Sequence, residues 1–130
     1  MASDELDKVE LPALEQLQSL GWSYIEGAKL SPDESDERSS LKDVVLENRL
    51  TESLKRINPW INDENLRKVI RELTKTQYPN LVEANQGIWT QINQCISVMQ
   101  DLGRGNKGQT VHIIDFEHPE NNELLCTNQF

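Results

Sequence analysis

The sequence predicts an α/β fold, and three observations support this prediction. Apolar residues recur at helical spacing in three stretches between residues 41 and 102. Residues 22–25 alternate weakly between large apolar and polar side chains, which is typical of a short strand. Residues 110–130 hold two apolar segments around a turn-forming segment, and this pattern predicts a hairpin. We therefore expect one domain at 11–130, with helices and the first strands of a sheet.

The composition limits the class of protein. A chain of 130 residues is one domain's worth of material, and its net charge of −9 argues against a basic nucleic-acid coat. No apolar run approaches the about 20 residues that span a bilayer, and the N-terminus is acidic where a signal peptide is basic. We predict a cytoplasmic protein without membrane contact. Cys95 and Cys126 lack CxxC spacing, so we expect buried free thiols.

The N-terminal part predicts one helix and one loop. Residues 1–10 are acidic and are expected to be flexible, and a helix is expected from Leu11 to Leu20, which places Glu10 at its start. Three leucines share a face of this helix, and Gly21 suits its end. Residues 27–40 are rich in Ser, Asp and Glu, so we interpret them as a solvated loop and not as a cation site.

Three helices are predicted next, at about 41–57, 63–77 and 81–102. Asn62 and Asn80 are suitable N-caps for the second and third of them. The third helix is predicted from an apolar stripe made of Ile88, Ile92, Cys95, Met99 and Leu102. Its length depends on that stripe continuing through residue 102.

A basic cluster lies on the second of these helices. Its members are Arg67, Lys68, Arg71 and Lys75. They are candidate DNA contacts because lysine and arginine bind phosphate. The pattern favours the alternative interpretation, an exposed helical face that carries solubilising charge.

The segment GRGNKG at 103–108 is glycine-rich but does not match a phosphate-binding loop. It lacks the GxxxxGK[ST] pattern, and it is predicted to lead from a helix into a strand. We interpret it as a connection and not as a nucleotide site.

The last segment is predicted to form a hairpin that needs a further strand. Val111–Phe116 is expected to be one strand, His118–Asn122 a turn, and Glu123–Phe130 the returning strand. A lone hairpin is only marginally stable in water. We therefore expect this chain to be the front end of a longer protein.

Catalytic arrangements are not evident in the sequence. We expect His112, in the predicted strand, and His118, in the turn, to have structural or solvent-facing roles. Asp115 and Glu117 are two positions apart on a predicted strand and share a face, whereas a metal site needs carboxylates from separate elements.

Four segments carry a resemblance to a known family. They are LPALEQLQSLGW, VLENRLTESLKRINPWI, LVEANQGIW and IIDFEHPENNELLCTNQF. In this order they resemble the N-terminus of the restriction (R) subunit of type I restriction–modification enzymes, from about Leu11 to Phe130. The last segment is the most specific, because its Asp-Phe, Pro-Glu-Asn-Asn and Asn-Gln-Phe have the order and spacing of the family.

The resemblance implies a nuclease domain of the restriction-endonuclease-like, PD-(D/E)xK type, of which this chain would be an incomplete part. It also implies an ATP-driven DNA translocase further along, and docking on modification and specificity subunits. The full subunit is expected to use Mg²⁺ and ATP and to cleave unmodified foreign DNA. The Asp and Glu-x-Lys strands are expected after Phe130, so we expect these 130 residues alone not to cut DNA or bind these cofactors tightly.

The resemblance also implies a carboxylate on the metal side of the nuclease, at the beginning of the first helix. Glu10 is the best counterpart as a catalytic and metal-binding residue, and Glu15 is the second choice. Two alternatives remain open. One is a non-enzymatic, truncated interaction module that self-associates or binds a partner through the exposed hairpin edge. The other is an acidic DNA mimic, suggested by the net charge of −9 alone.

Overall fold

The structure, a computed structural model, describes residues 6–33, 35, 45–74 and 80–128. In this part the helices are α1 (Leu11–Ser19), α2 (Glu47–Ile57), α3 (Asp63–Thr74) and α4 (Leu81–Gln94). The strands are β1 (Ser23–Glu26), β2 (Ile96–Asp101), β3 (Asn106–Val111) and β4 (Leu125–Asn128). The chain divides into a terminal unit, Met1–Leu46 with Glu123–Phe130, and a central unit, Glu47–Asn122.

The terminal unit is built on α1 and a parallel pair of strands. A single π-helical turn, Leu6–Glu10, leads into α1. The chain leaves α1 through Gly21, whose φ of 100° suits a residue without a β-carbon. It then enters β1, which pairs in parallel with β4 in the register Ser23↔Leu125 to Glu26↔Asn128. Helix α1 packs against both strands and buries Leu14.

The strand pairing corrects the predicted hairpin at 110–130. Strand β4 pairs with β1 from the other end of the chain, and only Val111 of the predicted strand Val111–Phe116 belongs to a strand. The prediction failed because parallel pairing joins distant segments, and alternation within one segment does not reveal its partner. The edge of that hairpin, proposed above as a surface for self-association, is therefore not formed.

The predicted loop at 27–40 is also partly wrong. Residues Gly27–Leu30 form a short 3₁₀ turn directly after β1, and Leu30 is only 1% exposed. The Oδ1 atom of Asn128 on β4 accepts a hydrogen bond from the Gly27 backbone N–H at 3.1 Å. Residues 34 and 36–44 of the predicted loop and helix start lie outside the described residues.

In the central unit, α2 and α3 pack around an antiparallel hairpin of β2 and β3. The predicted caps are confirmed, since Asn62 Oδ1 accepts from the Asn65 N–H at 2.8 Å and Asn80 Oδ1 from the Glu83 N–H at 2.9 Å. The buried apolar core consists of Leu54, Ile61, Leu66, Val69, Ile96, Val98 and Val111. Each fully buried Leu or Val contributes about 1.5–3 kcal/mol, so this cluster is the main source of stability in the unit.

The predicted helix 81–102 is wrong beyond Gln94. The backbone of Cys95 has a φ of 69°, which ends α4, and residues Ile96–Asp101 form β2 with alternating burial. Met99, which the helical stripe placed inside, is 56% exposed. The error has a physical cause: the third inward-facing residue of β2 is Gln100, and a polar residue hides the period of two.

Residues 103–105 of the segment GRGNKG form a connection, as predicted, but they join β2 to β3 and not a helix to a strand, and residues 106–108 already belong to β3. Asp101 Oδ1 accepts hydrogen bonds from the backbone N–H groups of Gly103 at 2.7 Å and Gly105 at 3.1 Å. Both glycines have positive φ, 108° and 92°. The turn is therefore closed by its own carboxylate.

A polar network joins the helices to this hairpin. Gln100 on β2 accepts from the Asn65 side chain at 3.0 Å and donates to the Trp60 carbonyl at 2.7 Å. Asn58, which is 0% exposed, directly follows α2, and its side chain bonds both backbone groups of His112, the residue after β3. Because buried amides are costly when unpaired, these bonds specify how the hairpin sits on the helices.

Candidate functional site

Glu10 is the last residue of the π-helical turn in the terminal unit, directly before α1. It is half-buried and occupies the N-cap position with helical backbone angles. One helical turn later comes Leu14, the buried residue of α1. Residues four apart share a helix face, so Glu10 is on the side of α1 that packs against the sheet. Glu15 is exposed and is about 100° around the helix from Leu14.

The pKa of Tyr24 on β1 is raised by burial and by nearby negative charges, and Glu10 is one of them. Partial burial is the first cause that raises the pKa of the Tyr24 phenol, and the charge of Glu26 is the second. The negative charges of Cys126 and Glu10 raise the Tyr24 pKa further. These effects apply at alkaline pH, where tyrosine ionises. The charge of Glu10 makes the smallest of these contributions to the Tyr24 pKa.

The described residues do not assemble a metal site by themselves. No group of three or more His, Cys, Asp or Glu side chains gathers there in an arrangement that can hold an ion. A carboxylate such as Glu10 has the oxygen chemistry that Mg²⁺ prefers. It can contribute one ligand to a site, but the described residues supply no complete set around it.

Two members of the predicted basic cluster line a groove beside α3. Arg67 and Arg71 lie one turn apart on α3 and line an open groove of about 710 Å³ beside α2, and Lys68 does not line it. Lys75 lies outside the described residues. The same groove is lined by Glu47 and Asp63, so its charge is mixed. A mixed groove attracts a phosphate backbone less than a uniformly basic one.

The segment around Asp115, the most distinctive part of the sequence, forms a loop that holds itself together. Asp115 accepts hydrogen bonds from the Asn121 side chain at 3.0 Å and the His118 N–H at 2.9 Å, and these bonds lower the pKa of its carboxyl group. The Asn122 side chain closes the loop by bonding both the N–H and the C=O of Asp115 at 2.9 Å. Arg56 Nε donates to the Asn121 carbonyl at 2.8 Å, which fixes the loop to α2.

This loop corrects the prediction that Asp115 and Glu117 share a strand face. Neither residue is in a strand, and the carboxylate of Asp115 is used within its own loop. His118 is exposed, as the solvent-facing prediction requires, and its Nδ1 lies 3.7 Å from Glu120 Oε1. The side chains of Asp115, Asn121 and Asn122 close the loop by hydrogen bonds, so these positions of the motif have a structural role.

The structure brings together one pair that the sequence analysis missed. Cys95 Sγ lies 3.3 Å from His112 Nδ1. His112 is not in a strand but directly follows β3, and neither cysteine is buried as predicted, since both are half-buried free thiols. The register explains the meeting: with the hairpin turn at residues 102–105, Asp101 pairs with Asn106 and Ile96 with Val111, so the next positions outward are 95 and 112.

Comparison with known proteins identifies the class. The family described as the N terminus of the type I restriction enzyme R protein matches residues 3–130. The chain therefore belongs to this family, as its sequence resemblance implied.

Two curated relatives carry the corresponding names. The putative type I restriction enzyme MjaIXP endonuclease subunit of Methanocaldococcus jannaschii is 34% identical over 122 residues, which cover 94% of this chain and 12% of that protein. The type I restriction enzyme HindI endonuclease subunit of Haemophilus influenzae is 31% identical over 122 residues, or 93% of this chain and 12% of that protein. The chain thus spans about an eighth of the length of these relatives. No solved structure matched the chain significantly.

None of the helices in the described part of the chain combines the length and the apolar character that crossing a bilayer requires. The cytoplasmic location stays a prediction.

Proposed function

We propose that this chain is the N-terminal part of the DNA-cleaving, ATP-dependent translocating subunit of a type I restriction enzyme. The observation that carries the proposal is the family match over residues 3–130, together with two relatives named as endonuclease subunits. The proposed role of the whole subunit is cleavage of unmodified foreign DNA in the cytoplasm. Its proposed partners are DNA and the modification and specificity subunits, and its proposed cofactors are ATP and Mg²⁺.

Within that subunit, we assign the terminal unit to the start of a PD-(D/E)xK nuclease domain. Its α1 packs against the parallel strands β1 and β4, which agrees with a sheet flanked by helices. Within the described residues, each of these strands has one strand partner, so each keeps one edge on which a further strand can pair. Two strands make a marginal sheet, and added strands would complete it. The Asp and Glu-x-Lys of the nuclease are assigned to such added strands.

Glu10 is the residue we assign to the metal side of this nuclease. It is half-buried at the sheet-facing side of α1, whereas Glu15 is exposed on another face and remains the second choice. Bound Mg²⁺ would supply charge stabilisation and a more acidic water for phosphodiester hydrolysis. Glu10 itself would hold a negatively charged oxygen in position beside the sheet.

The DNA contacts assigned to Arg67, Lys68, Arg71 and Lys75 are secondary. The groove beside α3 carries acidic residues as well as two arginines. Such a surface would contact phosphate without reading sequence, because recognition needs base-edge contacts. We therefore assign these residues at most a positioning role toward the DNA backbone.

The test uses the full subunit assembled with its modification and specificity subunits. The Glu10→Gln substitution keeps the size of the side chain and removes its charge, and Glu15→Gln is the matched control on the same helix. We expect Glu10→Gln to slow cleavage of unmodified DNA about tenfold or more while ATP hydrolysis continues, since loss of a supporting metal-site group commonly costs 10–100-fold. Cleavage by Glu10→Gln at the rate of Glu15→Gln would contradict the assignment of Glu10.

A further inference from the structure

We propose that Cys95 is a covalent modification site for soft carbon electrophiles, with His112 as the base that takes the thiol proton. The evidence is the distance of 3.3 Å between Cys95 Sγ and His112 Nδ1. A thiol within hydrogen-bond reach of an imidazole nitrogen is the arrangement by which proteins activate a cysteine nucleophile. Nothing in the proposed nuclease role uses this pair, so the inference is independent of that role.

The pair is held in place from the His112 side by a buried amide. Asn58 is 0% exposed, and its Nδ2 donates to the His112 carbonyl at 2.8 Å while its Oδ1 accepts from the His112 N–H at 2.9 Å. Both backbone groups of His112 are therefore fixed by one side chain. A clamp of this kind restricts where the imidazole ring can lie.

The Cys95 side is held by the hairpin. Cys95 directly precedes Ile96, which pairs with Val111 at the end of the β2–β3 ladder. Residues 95 and 112 are therefore the next positions outward on the two strands, and the ladder sets their separation. The two reacting groups are preorganised without help from a ligand.

The pair is also accessible. Cys95 is half-buried and His112 is exposed, so a small electrophile can approach Sγ from solvent. The titratable group within hydrogen-bond distance of Cys95 Sγ is the imidazole of His112.

Cys126 provides an internal comparison. It is half-buried like Cys95, but its Sγ donates to the Ser23 carbonyl oxygen at 3.3 Å. A carbonyl oxygen accepts a hydrogen bond but does not remove the proton at neutral pH, whereas a neutral imidazole nitrogen does. The two thiols therefore differ mainly in whether their partner is a base.

The reaction needs no oxidant or cofactor. With an α,β-unsaturated carbonyl compound, Sγ forms a bond to the β-carbon and the π electron pair of the C=C bond moves to the α-carbon. The thiol proton passes to His112 Nδ1 and then to the α-carbon, which completes a neutral thioether adduct. N-ethylmaleimide is a suitable probe because it reacts in this way and adds a defined mass.

The experiment measures the modification rate at each cysteine of the 130-residue chain at pH 7, by quenched time points and peptide mass spectrometry. We expect Cys95 to react at least about tenfold faster than Cys126 in the folded chain, a threshold set below the about 10²–10⁴-fold that a positioned general base contributes. In concentrated urea the two rates should agree within about twofold, since the unfolded chain has no pair. A folded-chain ratio of one or less overturns the proposal.

Two variants show whether a fast Cys95 rate comes from the His112 base or from solvent exposure of the thiol alone. His112→Asn keeps an acceptor near the thiol but removes the base, and it should reduce the Cys95 rate to within about threefold of the Cys126 rate. His118→Asn is the matched control, because His118 is an exposed histidine hydrogen-bonded within its own loop, and it should leave both rates unchanged. A Cys95 rate that stays fast in folded His112→Asn, as checked by circular dichroism, also overturns the proposal. If His112→Asn does not fold, the ratio in the native chain decides alone.

Discussion

The buried amide of Asn58 is the residue on which the attachment of the β2–β3 hairpin to α2 depends most directly. It makes two hydrogen bonds to the backbone of His112, at 2.8 and 2.9 Å, and one to the Leu54 carbonyl at 3.0 Å. That carbonyl also accepts from the Asn58 backbone N–H at 2.8 Å, so it keeps a partner when the side chain is removed. The substitution Asn58→Ala therefore removes two bonds that nothing replaces.

The expected cost of Asn58→Ala is about 3 kcal/mol of unfolding free energy. Two hydrogen bonds at about 1 kcal/mol each contribute 2 kcal/mol. The remaining 1 kcal/mol comes from the space left by an amide at a fully buried position, at the low end of cavity costs in cores. Asn58→Asp should cost at least as much, because it places a charge opposite the carbonyls of Leu54 and His112.

The assay is urea unfolding of the chain followed by tryptophan fluorescence, with Trp60 packed against the core of the central unit as reporter. The matched control is Asn85→Ala, an exposed asparagine on α4, which should change stability by no more than about 0.5 kcal/mol. The midpoint should fall while the denaturant slope stays constant. A loss below about 1 kcal/mol for Asn58→Ala would refute the view that this side chain anchors the hairpin.

The remaining predictions concern the turn after β2 and the loop around Asp115. Gly103→Ala should destabilise the chain by about 1 kcal/mol, because φ is 108° there although no atom lies within 4 Å of an added β-carbon. Gly108→Ala, at an ordinary φ, should cost less in the same urea titration, and equal losses would contradict the strain argument. The folded pKa of Asp115 is lowered, so its contribution is present above the unfolded pKa of about 3.9 and is lost as pH falls through the folded value. Acid titration of stability should therefore show a smaller loss in this window for Asp115→Asn than for the native chain, and identical profiles would contradict that role.

Much of the central unit could be predicted because its signals are local. The caps at Asn62 and Asn80 act within one turn of their helices, and α3 starts at Asp63 as its cap required. Amphipathic spacing similarly places Leu54, Leu66 and Val69 in the core. These features need no knowledge of the rest of the chain.

Two features could not be predicted because their information is not local. The change from α4 to β2 depends on the positive φ of Cys95 and on a buried Gln100, whose partners are Trp60, in the turn after α2, and Asn65, on α3. The pairing of β4 with β1 is a parallel contact between the two ends of the chain. The Cys95–His112 pair could not be predicted for the same reason, because the register of the β2–β3 hairpin brings these two residues together.

We propose that this chain is the N-terminal part of a nuclease subunit and that the cleaving residues lie in other strands of the same domain. The most direct measurement compares two preparations on supercoiled, unmodified DNA with Mg²⁺: the chain alone, and the full subunit assembled with its partners and ATP. We expect cleavage by the assembled subunit and none by the chain alone. Metal-dependent nicking by the purified chain, or an assembled subunit that hydrolyses ATP without ever cutting, would contradict the claim.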